Sequence, residues 1–145
     1  MSRGDLESVA ETESPYKSVG GPRRLWNALR YSMRGLALAW RVESAFRQEL
    51  SLAVVLLPIA LVLRLPPMET LALIGSLVLL LIVELINSGI EAAVDRISLD
   101  AHRLAGRAKD LGSAAVFLAL VLCLITWVLI AGPIVAARVA HFFER

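Results

Sequence analysis

Three apolar tracts joined by short polar links make up most of the chain, and a segment with a different pattern precedes them. In that segment Leu25, Leu29, Met33, Leu36 and Trp40 recur at helical steps, while Arg23, Arg30, Arg34 and Arg41 project roughly opposite. This pattern predicts an amphipathic helix lying in the membrane interface, its basic face available to phosphate head groups.

The first tract, Leu50 to Leu63, is uncharged and has Glu49 and Arg64 at its ends. A span needs about 20 residues, so the helix is expected to run from near Ala45 to Leu65, with Arg64 snorkelling and Pro66 and Pro67 as the stop. Pro58 is a candidate kink. A short LPPME link leads into a second span from Thr70 to about Ile90. The third, Leu111 to Ala131, is closed by Gly132 and Pro133. Trp26, Trp40 and Trp127 are expected as interface anchors. Residues 134 to 145 read as a short interfacial helix or tail, with Phe142 and Phe143 as anchors.

The expected fold is therefore an all-α membrane protein with an N-terminal amphipathic surface helix and three transmembrane helices. Residues 1–22 form a flexible tail, 23–133 the membrane domain and 134–145 a C-terminal tail. Within the domain the surface helix covers about 23–43 and the spans about 45–65, 70–95 and 109–131.

At 145 residues and 57% hydrophobic, with mean hydropathy +0.68, the chain is a single small domain outside soluble composition. A net charge of +2 is too small to suggest a nucleic-acid partner. The placement of the basic residues says more. Arg3, Lys17, Arg23, Arg24, Arg30, Arg34, Arg41 and Arg47 precede the first tract, and Arg96, Arg103, Arg107 and Lys109 follow the second. The link between the first two spans has Arg64 alone. This bias puts the amino terminus and second loop in the cytoplasm. MSRGDLESVAETESP is polar and acidic with no apolar region behind a basic start, so no cleaved signal peptide is expected. Cys123, the one cysteine, reads as a small buried hydrophobe.

Within the second tract, Glu84, Asn87, Glu91 and Asp95 fall within about an 80° arc of one helix face, with Ser88 beside them. A carboxylate at bilayer depth costs between about 2.5 and 17 kcal/mol on different scales, so this stripe must face protein, water or a cation. Copies of the same chain would supply covering neighbours, which predicts homo-oligomerisation. Two further charged sets approach the same interface: Glu43, Arg47 and Glu49 before the first span, and Arg107, Lys109 and Asp110 at the start of the third. Carboxylates from two helices suit a hard divalent cation such as Mg²⁺, which usually enters with nucleotide phosphates, while Lys109 suits phosphoryl oxygens. The stripe alone equally suits a proton or cation pathway. The chain has no GxxxxGK[ST], GxGxxG, HRD or DFG motif, so the common nucleotide folds are not matched.

Three blocks separate these readings: ESAFRQE (43–49), VELINSGIEAAVDR (83–96) and GRAKDLGSAAV (106–116). In this order between membrane helices, they resemble the prokaryotic diacylglycerol kinase family, small trimeric membrane kinases that include undecaprenol kinases. The likeness covers about residues 24 to 131. It implies ATP-dependent phosphorylation of diacylglycerol to phosphatidic acid at the cytoplasmic face of the inner membrane, in sites shared by the subunits of a homotrimer. By the same resemblance Glu84 is the general base on the lipid hydroxyl, and Glu43 and Glu91 hold Mg²⁺. Asn87 orders the site, and Asp95, Asp100, His102, Lys109 and Asp110 lie on the nucleotide side. Arg24 and Tyr31 are nucleotide contacts on the surface helix; Arg47, Glu49 and Ser113 surround the lipid. Undecaprenol as substrate is the alternative within the family.

Overall fold

The computed structural model describes residues 22–97 and 102–143, and among them every regular element is an α-helix. In chain order these are α1 (Pro22–Val42), α2 (Ser44–Val62), α3 (Pro67–Ile97), α4 (Arg103–Ile130) and α5 (Gly132–Phe143). Asp100, a candidate site residue, lies outside the described residues. Two compact units divide between Leu38 and Ala39.

The first unit holds most of α1. Its Leu25, Trp26, Leu29, Met33 and Leu36 are exposed, as are Arg23, Arg30 and Arg34 on the other face. An apolar face with no protein cover is what an interfacial helix presents to lipid.

In the second unit α2, α3 and α4 are each long and apolar enough to cross a membrane. Helix α3 is the central element and packs against both α2 and α4. Its buried residues Leu73, Ser76, Leu77, Leu80, Glu84 and Asn87 follow three- and four-residue steps, so one continuous face is apolar first and polar afterwards. Small residues let the neighbouring helices approach it. Ala60, Leu63, Leu73 and Ala131 form one cluster; Ala53, Leu77 and Cys123 form another. Ser76 Oγ lies 3.6 Å from Cys123 Sγ, which makes the cysteine part of helix packing. Trp127 is packed against both clusters. Its ring is thus also part of the interhelical packing.

The helix ends have local causes. Leu63 N donates to Ile59 O at 3.1 Å, and Arg64 follows with φ 54°, a left-handed conformation that turns the chain out of α2. Pro67 does not belong to that stop. It is the first residue of α3, where a missing N–H breaks no helical bond. Helix α4 starts behind His102, whose Nδ1 accepts from Leu104 N at 3.2 Å. It ends where Pro133 cannot donate, and a fresh helix, α5, begins at Gly132.

Length places the polar half of the α3 stripe. At 1.5 Å per residue Glu84 lies about 26 Å along the helix from Pro67, and Glu91 about 36 Å, against a hydrocarbon layer of about 30 Å. With Pro67 at one edge of the layer, Glu84 comes near the other, with Glu91 and Asp95 beyond it. Outward faces remain apolar: only 11% of the apolar window of α4 is buried within the chain.

Candidate active site

The polar end of α3 opens into a cleft of about 350 Å³ built from three segments of the second unit. Glu84, Asn87, Ser88 and Glu91 come from α3, Glu43, Ser44 and Ala45 from the start of α2, and Ser113 and Val116 from α4.

Each segment reaches the cleft for a local reason. Glu43 sits between α1 and α2 with extended backbone (φ −91°, ψ 115°) at the N-cap of α2, yet its carboxylate makes no capping bond. It is left free to line the cleft. Two residues hold this bend: Phe46 is fully buried, and Arg47 Nη1 donates to the carbonyls of Trp40 and Arg41 at 3.3 Å each. On α3, Glu84 is buried, and Asn87 Nδ2 donates to Glu91 Oε1 at 3.1 Å. On α4, Ser113 follows the buried Gly112, where that helix meets Asn87.

Three carboxylates, Glu43, Glu84 and Glu91, therefore line one cleft, and Glu49 lies on α2. Glu49 is buried and its Oε2 has no hydrogen-bond partner among the described residues. So much negative charge in a poorly solvated space is stabilised by a cation or by protons. Among the described residues no group of three or more His, Cys, Asp or Glu is arranged as a closed metal cage. An ion held by one or two carboxylates and completed by phosphate oxygens needs no such cage, and Glu43 and Glu91 fit that kind of site.

The remaining candidates fall outside this lining. Asp95 and Lys109 join α3 to α4 through a 2.6 Å ion pair, half-exposed on both sides. Asp110 is exposed on the same turn as Lys109, and His102 is the α4 cap. Arg24 and Tyr31 are exposed on α1 in the first unit. Sequence reasoning did not identify Ser44, Ala45 and Val116, whose residue types carry no signal of a site, as lining residues.

A larger cavity of about 510 Å³ lies between α2 and α5, lined by apolar residues such as Pro58, Val62, Val135 and Phe142, with Arg138 as its charged member. Its lining has no carboxylate or imidazole to move a proton, whereas the smaller cleft has three carboxylates.

Comparison with known proteins decides between a kinase and an ion pathway. The family model for prokaryotic diacylglycerol kinase matches residues 30–131. A Pseudomonas aeruginosa protein named diacylglycerol kinase is 49% identical over 114 residues, covering 79% of this chain and 93% of its own. The Escherichia coli K12 protein of that name is 47% identical over 107 residues (74% and 88%), and that of Haemophilus influenzae 44% over 112 residues (77% and 94%).

The chain belongs to the prokaryotic diacylglycerol kinase family. It is an enzyme of the membrane, a lipid kinase that uses a nucleotide co-substrate. The match to this kinase family contains every residue lining the cleft.

Proposed function

We propose that this chain transfers the γ-phosphoryl group of ATP to the primary hydroxyl of diacylglycerol, yielding phosphatidic acid and ADP at the cytoplasmic face of the inner membrane. One observation carries the reading: a buried glutamate, Glu84, on the polar stretch of the apolar α3 span, lines a cleft with two further carboxylates.

The hydroxyl oxygen attacks the γ-phosphorus in line as the bond to the β-phosphate oxygen breaks, and ADP leaves. Glu84 accepts the hydroxyl proton. Its buried place in the wall of the cleft suits a base acting on a lipid alcohol. No phosphoenzyme forms. Glu43 and Glu91 hold Mg²⁺, which when bound neutralises phosphate charge, and Asn87 keeps Glu91 oriented. Lys109, Asp95, Asp110, His102, Asp100, Arg24 and Tyr31 serve the nucleotide; Arg47, Glu49 and Ser113 serve the lipid.

The basic residues before α2 and between α3 and α4 support a cytoplasmic amino terminus and second loop. The family resemblance implies a homotrimer whose subunits share sites, and neighbouring copies would cover the α3 carboxylates from lipid. The relatives' shared name favours diacylglycerol over undecaprenol.

The test is purified protein in lipid bilayers, given Mg²⁺ and ATP labelled at the γ-phosphate, with diacylglycerol and undecaprenol in competition. Label in phosphatidic acid is the expected result. Label in undecaprenyl phosphate would change the substrate, and label in neither lipid would overturn the reading.

A further inference from the structure

Asn87 presents an unusual balance of contacts. Its Nδ2 is used on Glu91 at 3.1 Å, whereas its Oδ1 is buried without any partner among the described residues. A buried acceptor left unpaired is disfavoured and needs a reason. The reason lies on the facing helix. Gly112 of α4 packs directly against this amide, and a Cβ built there would overlap Asn87 Oδ1 and lie 3.2 Å from its Cγ. Other glycines of the described helices, including Gly75, Gly89 and Gly106, face nothing within 4 Å.

We propose that Gly112 is a positioning residue for the kinase site: the bare backbone of α4 gives the Asn87 amide the one place in which its nitrogen points at Glu91. A methyl group at 112 would not need to separate the helices. The amide, the movable end of a side chain, would turn away and carry Nδ2 off Glu91. The carboxylate would then be free to rotate. This inference rests on the assignment of Glu91 to the metal, and the contact between 112 and 87 can be tested independently of that assignment.

The experiment compares the native protein with Gly112→Ala, Asn87→Ala and the double variant, each in lipid bilayers. In the Asn87→Ala background the nearest atom to the new methyl would be no closer than the Cβ of residue 87, at 3.8 Å, an ordinary contact. The expected result is that Gly112→Ala lowers the unfolding temperature when Asn87 is present and does not lower it when Ala stands at 87. In kinase assays Gly112→Ala raises the Mg²⁺ concentration for half-maximal activity by about tenfold or more, the usual effect of losing a hydrogen-bond partner of a metal ligand. Equal unfolding shifts in the two backgrounds, or an unchanged Mg²⁺ requirement, would overturn the proposal. Should Gly112→Ala fail to assemble, assembly of the double variant supports the coupling and its failure refutes it. A native protein that makes no phosphorylated lipid would remove the functional reading, while the unfolding comparison would still decide whether Gly112 sets the Asn87 amide.

Discussion

Lys109 Nζ and Asp95 Oδ1 meet at 2.6 Å, joining the end of α3 to the first turns of α4 just outside the carboxylate cleft. Both side chains are substantially exposed, at 39% and 48%, where an ion pair adds little to stability. On the proposed function, the pair holds the ammonium group where a phosphate can reach it.

Asp95→Asn should therefore leave the unfolding temperature close to that of the native protein. It should raise KM for ATP by up to about fivefold, since an exposed pair worth at most about 1 kcal/mol can hold the ammonium group in place by no more than that. Steady-state titration of ATP at saturating lipid measures this. An unchanged KM would remove Asp95 from the nucleotide side.

Glu91→Gln keeps the shape of the side chain and an oxygen able to accept from Asn87, but loses the charge. The expected outcome is a requirement for at least roughly tenfold more Mg²⁺ at half-maximal rate, in a protein that still assembles. A Mg²⁺ titration that overlays the native curve would contradict the ligand role.

Arg64 adopts φ 54° without being glycine. Replacing it with glycine should relieve the left-handed strain and stabilise the fold by about 1 kcal/mol, less the added freedom of the unfolded chain. Thermal unfolding in one fixed lipid mixture checks the sign. Activity should be unchanged, since the α2–α3 turn lies at the opposite end of α3 from Glu84.

Much of this arrangement was legible in the sequence because it follows from periodicity and composition. The basic and apolar faces of α1, the three apolar helices and the arc from Glu84 to Glu91 all depend on neighbours within one helix. Contacts between helices carry no such signature. Glu43 was named from the charged set ahead of the first span and Ser113 through family resemblance, and the structure adds that both line the cleft with Glu84. Nothing in the residue type of Gly112 distinguishes it from Gly106, which faces open space; only the approach of α3 does. Pro67 was misjudged for a related reason: a proline after a span can stop one helix or start the next, and helix register selects between the two.

The central claim is that Glu84 takes the proton from the lipid alcohol. Its most direct test is single-turnover phosphorylation of diacylglycerol by Glu84→Gln, in protein shown by sedimentation and thermal unfolding to assemble as the native enzyme does. Losing a general base predicts a chemical step slower by about 10²- to 10⁴-fold, with ATP still bound. A step at the native rate in that assembled protein would contradict the account.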